Sequence, residues 1–288
     1  MTEELNLLEW ELLDRGFFDK YTSFIERSVE LGKELAFSNV RYMIALANSF
    51  NQNKAGEEYM YIGGMGVLGN LASYLSEESI LQWRDAHDLD VVVKSKEYKS
   101  VLDNFFDAVA KRERSNSISD KYTYEGVSFD IQNDYLKDGV KIDAYIPNNP
   151  RKGVLINRSY INGKHWENKK KVNLFGISVN VADPLTLLSM KLDVNCHTSC
   201  MANRKSKAVR RQKDNRELKD SFDIVNLLGV IQRDGYSPEH LYKSLSQIQF
   251  EKFRAGVNGQ FNGESHFNGC LIKPTKDYID EFLSLEEK

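Results

Sequence analysis

Residues 61–93 hold the groups best suited to chemistry. Tyr61-Ile62-Gly63-Gly64-Met65-Gly66-Val67-Leu68-Gly69 is followed, after a polar interval, by Arg84-Asp85-Ala86-His87-Asp88-Leu89-Asp90-Val91-Val92-Val93. The second run has the apolar character of a strand. Successive strand side chains leave on opposite faces, so Asp88 and Asp90 share one face and Leu89 takes the other. Two carboxylates so placed offer hard oxygen ligands to a cation such as Mg²⁺, with Mn²⁺ the alternative. Glycines between a strand and a helix let a phosphate approach backbone N–H groups and a helix N-terminus. The combination points to handling of a nucleoside triphosphate with a divalent ion.

These groups need a scaffold, and the flanking sequence supplies the pattern of one. Tyr59–Ile62 reads as a short strand that turns at Gly63-Gly64 into a helix near Val67–Tyr74, and His87–Val93 reads as the central strand. A helix with a broad apolar face follows over Lys96–Lys111 (Tyr98, Val101, Leu102, Phe105, Phe106, Val109). Residues 112–121 are polar and read as a loop. Val127, Phe129 and Ile131 alternate with polar residues, as do Val140, Ile142, Ala144 and Ile146, which predicts two half-buried strands. That alternation puts Asp130 and Asp143 on polar faces. A hairpin turning at Gly176 is expected over 172–181.

The ends of the chain read as helical. Leu5, Leu8, Leu12 and Leu13, then Phe24 through Leu46, make an apolar stripe up to a polar break at Asn51–Gly56. Asp183 is a good N-cap with Pro184 in the first turn, and Ser237-Pro238-Glu239 opens a helix running to about Ile248. Residues 256–269, rich in Gly and Asn, read as loop. The expected organisation is an N-terminal helical layer over 1–54, a sheet-containing core over 55–182 and a C-terminal helical region over 183–288. The fold class is α+β, a mixed β-sheet with flanking helices plus N- and C-terminal helical regions.

Composition narrows the classes. With 288 residues, 41% hydrophobic and 28% charged, the chain is of globular type. A net charge of −3 gives no global attraction to nucleic acid or membrane. No stretch offers about 18 uninterrupted apolar residues, and the start Met1-Thr2-Glu3-Glu4 lacks the regions of a signal peptide, so no membrane partner is expected. Three irregularly spaced cysteines fit a reducing, cytoplasmic location. Cys196, His197 and Cys200 lie close in sequence, and Cys270 and His266 could add to them. A structural zinc site usually draws on two separated ligand pairs, so ordinary helix-end residues are the simpler reading. The basic run 203–219 is either a solvated face or a patch for an RNA backbone or a triphosphate.

Strand, Gly-Gly, helix, then Asp-Leu-Asp on the next strand resembles the nucleotidyltransferase fold of the DNA polymerase β superfamily. Three segments resemble, more narrowly, the AbiEii-type nucleotidyltransferases, toxins of bacterial toxin–antitoxin and abortive-infection systems. They are Arg84–Asp90, the Pro-initiated helix Asp183-Pro184-Leu185-Thr186-Leu187-Leu188-Ser189-Met190-Lys191-Leu192, and Arg216-Glu217-Leu218-Lys219-Asp220-Ser221-Phe222-Asp223-Ile224. The resemblance covers roughly residues 58–230. It departs at Met65, where the family has a small residue, and in the long interval between the glycines and Asp88.

The resemblance implies Mg²⁺-dependent transfer of a nucleotide from NTP to a hydroxyl of tRNA or protein, with an antitoxin protein as a further partner. It implies Asp88, Asp90 and Asp143 as metal ligands and catalytic carboxylates, with Asp130 the rival candidate for the third carboxylate. Gly63, Gly64, Arg84, Lys191 and Asp223 would lie at the NTP, with Lys191 and Asp220 in the catalytic set. Each has a plainer reading: a solvated strand end for Asp88 and Asp90, a surface strand residue for Asp143, a tight turn for the glycines, a solvated helix residue for Lys191, caps or pairs with neighbouring cations for Asp220 and Asp223, and an ion pair with Asp85 or Glu78 for Arg84. The alternative function is a non-catalytic nucleotide- or RNA-binding protein on the same fold. A weaker one is an interaction protein with docking helices.

Overall fold

The computed structural model describes residues 26, 27, 30, 34–80, 82, 83, 88–110, 114–124, 126–136, 139–156, 159–201, 207–259 and 270–285. They fall into two compact units, Met1–Leu155 with Tyr160–Ala182, and Ile156–Ser159 with Asp183–Lys288.

The first unit is built on a mixed seven-stranded sheet. Its strands are β1 (Tyr59–Tyr61), β2 (Asp88–Val93), β3 (Arg114–Tyr124), β4 (Val127–Leu136), β5 (Lys141–Pro147), β8 (Lys170–Leu174) and β9 (Ile177–Val181), in the order β3-β4-β5-β2-β1-β9-β8. β6 (Val154–Ile156) and β7 (Ser159–Ile161) form a separate two-stranded ribbon. β2 pairs parallel with β5 and antiparallel with β1, and β1 pairs parallel with β9. β2 is an inner strand. Its run Leu89 and Val91–Val93 is buried on both faces, as a strand covered on both sides requires.

Helices cover this sheet: α1 (Glu34–Gln52), α2 (Gly63–Ala72), α3 (Glu77–Ile80), α4 (Lys99–Ala110) and α5 (Gly163–Asn168). α1 carries Met43, Ile44, Leu46, Ala47 and Phe50, all fully buried. The Tyr61 hydroxyl donates to the Met43 carbonyl at 2.7 Å and Phe50 stacks on Tyr59 at 4.6 Å. Tyr59 and Tyr61 stand opposite Val93 and Val91, so α1 covers the face turned away from Asp88 and Asp90. Asn70 in α2 donates to the Ala182 carbonyl at 2.9 Å and ties that helix to the end of β9.

Three expectations change. The helix starts earlier than Val67: α2 begins at Gly63, whose φ of +61° turns the chain out of β1. Residues 112–121 are not a loop, because β3 runs from Arg114 to Tyr124 as the sheet's edge, laddered to β4. Residues 118–123 are all exposed, so no buried apolar face marks the strand, and the ladder to β4, the Tyr122–Phe129 stack and the Thr123–Ser128 hydrogen bond hold it. The helix expected from Ser237 to about Ile248 is two helices. The hairpin at Gly176 forms, with Phe175 and Gly176 both at positive φ.

The second unit contains α6 (Pro184–Met201), α7 (Lys207–Arg233), α8 (Pro238–Ser244), α9 (Gln247–Gly259) and α10 (Lys276–Ser284). Asp183 caps α6, its Oδ1 accepting from Leu185 N and Thr186 N at 3.0 and 3.1 Å. Ser237 caps α8 through the His240 N–H. Ser246 and Gln249 exchange side-chain and backbone bonds as a capping box, which starts α9 and separates it from α8. Phe250, Phe253 and Phe282 meet edge to face at 5.2 Å in the core of this unit.

Candidate functional site

The parallel register of β2 and β5 brings the carboxylates together. Asp88 stands opposite Lys141, and Asp90 opposite Asp143. Across β4, Asn133 stands opposite Asp143 and Tyr135 opposite Lys141. Strand alternation therefore places Asp88, Asp90, Lys141, Asp143, Tyr145 and Asn133 on one face. Asp88, the first residue of its strand, is exposed, Asp90 is half-buried, and Asp143 is buried with 7% of its surface accessible. Asp130 pairs with Ile146. It lies on the opposite face, within 3.4 Å of Lys96 and Asn148. Of the two candidate third carboxylates, only Asp143 shares the face of Asp88 and Asp90.

The start of α2 closes on this face. Ile62 N donates to the Asp90 carbonyl at 3.0 Å, which ties the helix to β2. Gly63 has φ +61°, and a Cβ on it would lie 2.3 Å from Asp90 Oδ2. Glycine is required here twice: for the left-handed backbone and for the space the carboxylate fills. The residue preceding the helix, Ile62, provides no side-chain cap. The first-turn N–H groups of α2 are thus left to serve a ligand or solvent. Gly64 is the second residue of that turn.

Asp143 is held by two donors. Lys141 Nζ lies 2.7 Å from Oδ2, and Asn133 Nδ2 lies 2.6 Å from Oδ1. The Tyr145 hydroxyl donates to Asp90 Oδ1 at 3.3 Å. Burial pushes the Tyr145 phenol well above its ordinary value, and the charges of Asp90 and Asp143, the bond to Asp90 and the charge of Asp88 add to the rise. It stays a protonated donor. Burial alone would lower the Lys141 pKa. The hydrogen bond and charge of Asp143, with Tyr135 and Asp90 behind them, outweigh burial and raise it.

The donor chemistry of this face suits a divalent ion. Three carboxylates offer only hard oxygens, and the face already holds a cation, the Lys141 ammonium. Asp88, Asp90 and Asp143 are the residues that would bind the metal. Among the described residues, no three metal-type side chains are already gathered around one point.

Lys191, Asp220 and Asp223 form a second cluster, within the helical unit. Lys191 Nζ on α6 reaches Asp220 Oδ1 and Asp223 Oδ2 on α7 at 2.9 and 2.7 Å. The three side chains are 13%, 6% and 0% exposed, so the pair of bridges is a buried one. Asp220 Oδ2 is buried with no hydrogen-bond partner among the described residues. Lys191 is thus a buried tie between two helices of this unit rather than a solvated helix residue. Arg84 lies outside the described residues, as do His266 and the side chains of Cys196, His197, Cys200 and the basic run 203–219. Cys270 is buried, and that burial raises its thiol pKa to about 11.

Sequence reasoning missed Lys141, Tyr145 and Asn133. Lys141 and Tyr145 flank Asp143 with the period of a strand, so the alternation that placed Asp143 placed them too. Asn133 needs the β4–β5 register, which no local pattern carries.

Comparison with known proteins finds no matching family model and no matching curated protein. Among solved structures, the chain is similar to the antibiotic-resistance factor ANT(2'')-Ia in solution, with 8% identity, a TM-score of 0.37 and coverage of 75% of this chain and 93% of that one. It is similar to an antigenic nucleotidyltransferase-like protein from Paracoccidioides brasiliensis, with 15% identity, a TM-score of 0.36 and coverage of 81% and 93%. The Megavirus polyadenylate synthase gives 11% identity, a TM-score of 0.35 and coverage of 86% of this chain and 44% of the synthase.

Proposed function

We propose that this chain is a Mg²⁺-dependent nucleotidyltransferase, with Mn²⁺ as a substitute metal, that transfers a nucleoside monophosphate from an NTP to a hydroxyl. The observation that supports it best is the meeting of Asp90, Asp143 and Gly63: two carboxylates paired across parallel strands, one pressed against the first turn of a helix. In the reaction the acceptor oxygen bonds to the α-phosphorus, the bond to the β-phosphate breaks, and pyrophosphate leaves. A bound divalent ion would neutralise the triphosphate and favour the departing pyrophosphate.

The chain's own groups have distinct tasks in this reading. The N–H groups at Gly63 and Gly64 donate to phosphate oxygens. Asp88 and Asp90 serve as ligands. Asp143 serves as a ligand or takes the acceptor's proton. Tyr145 holds Asp90 in orientation. The family resemblance also implies roles at the NTP for Arg84, Lys191, Asp220 and Asp223. The finer reading is an AbiEii-type toxin acting in the cytoplasm on tRNA or a protein side chain, with an antitoxin as partner. No described helix is long and apolar enough to cross a membrane.

A second reading, a non-catalytic nucleotide- or RNA-binding protein, draws on the fact that Lys141 and Asn133 engage both oxygens of Asp143. Incubation with each labelled NTP, Mg²⁺ and cellular RNA or lysate separates the two. The transferase reading expects label on RNA or protein, abolished in Asp88→Ala/Asp90→Ala. No label, with tight metal-independent NTP binding by calorimetry, would favour the second.

A further inference from the structure

Lys141 is enclosed by the candidate metal-binding face. It stands opposite Asp88 in the β2–β5 ladder and opposite Tyr135 in the β4–β5 ladder. It leaves its strand two residues before Asp143, on the same face. Its ammonium is 2.7 Å from Asp143 Oδ2 and 5.8 Å from the centre of the Tyr135 ring. Its side chain is 35% exposed, against 9% for Asp143. The other oxygen of Asp143 is bonded to Asn133. Asp143 therefore has no oxygen without a donor. A divalent ion that takes up the Asp143 Oδ2 side now facing the ammonium must compete with Lys141 for it.

Of the two donors, lysine is the one that can move. Its ammonium sits at the end of a flexible four-carbon stem with access to solvent, whereas Asn133 is a short side chain in the neighbouring strand. A divalent ion also repels the ammonium and leaves a neutral amide in place.

We propose that Lys141 is a resident counter-cation that occupies the carboxylate face and is displaced when a divalent ion binds there. The inference rests on the reading of that face as a metal site. Lys141 is a positioning residue in this scheme, since it acts through Asp143. It keeps the buried carboxylate paired while the metal is absent, and it sets how much divalent ion is needed to load the face.

The test is Mn²⁺ binding to the full chain without nucleotide, followed by electron paramagnetic resonance and calorimetry, for the native protein, Lys141→Met, Lys141→Arg and Asp90→Asn. Removing a competing charge at this separation should tighten Mn²⁺ binding roughly tenfold or more in Lys141→Met. Lys141→Arg, which can grip Asp143 with two donors, should bind Mn²⁺ no better than the native chain. Circular dichroism reports whether each variant folds. If Lys141→Met unfolds alone, refolding on Mn²⁺ addition, with none for Asp90→Asn, supports the displacement. Failure to refold overturns it. Equal or weaker Mn²⁺ binding by folded Lys141→Met, with native binding lost in Asp90→Asn, overturns the role of Lys141 and leaves the metal site standing. No Mn²⁺ binding by any of the four overturns both.

Discussion

Replacing Gly63 by alanine perturbs the candidate site at its narrowest point. Two costs follow from the geometry. The backbone at φ +61° is left-handed, which costs a non-glycine residue about 1–2 kcal/mol. For a unit of this size that lowers Tm by roughly 2–8 °C. The new Cβ would also stand 2.3 Å from Asp90 Oδ2, where ordinary contact begins at 3.4 Å. The carboxylate must give way by about 1 Å, and a displacement of that size at a reacting centre costs on the order of 100-fold in rate. Gly176 is the control. It has φ +89° and a Cβ there would meet nothing within 4 Å. Gly176→Ala should lose comparable stability and keep its nucleotidyl transfer. Thermal melts and label transfer, run on both variants, separate strain from displacement. Full activity in folded Gly63→Ala would refute the placement of Asp90 against the helix start. Equal loss of activity in both variants would assign the effect to backbone strain instead.

Other variants probe the remaining parts. Tyr145→Phe removes the donor to Asp90 at a stability cost of about 1 kcal/mol or less, and should lower kcat several-fold with little change in nucleotide KM. Because the native phenol holds its proton above the ordinary tyrosine value, its contribution to stability is complete below about pH 10 and declines as pH rises beyond that. Urea unfolding of Tyr145→Phe should therefore show a shallower alkaline loss of stability than the native chain. Lys191→Met leaves Asp220 and Asp223 buried without their cation and should cost about 3–5 kcal/mol in urea unfolding. A change below about 1 kcal/mol would contradict the buried geometry.

The legible parts of the fold and site were those carried by local pattern. Alternation in Asp88–Val93 and Val140–Ile146 was enough to put Asp88 with Asp90 and to mark Asp143. Asp183, Pro184 and Ser237 announced their helix starts through capping chemistry. Edge strand β3 was illegible because residues 118–123 are all exposed, so no buried face marks it, and its ladder, its Tyr122–Phe129 stack and its Thr123–Ser128 bond all need the partner strand. The choice between Asp143 and Asp130 was not open to local reasoning either. Both sit on polar positions of their own strands, and only the β2–β5 and β4–β5 registers show which face each takes. The Lys191 pairing was hidden for a related reason: the pattern of one helix shows a lysine on its polar side, and only the packing of α6 against α7 brings Asp220 and Asp223 to it.

The most direct measurement is a crystal structure of the chain with Mn²⁺ and a non-hydrolysable NTP analogue, with the metal located by anomalous scattering. The account predicts manganese within about 2.3 Å of carboxylate oxygens of Asp88 and Asp90, the triphosphate against the N–H groups of Gly63 and Gly64, and Lys141 no longer paired with Asp143. Manganese bound away from these carboxylates, or a nucleotide seated elsewhere with the Asp90–Gly63 contact undisturbed, would contradict it.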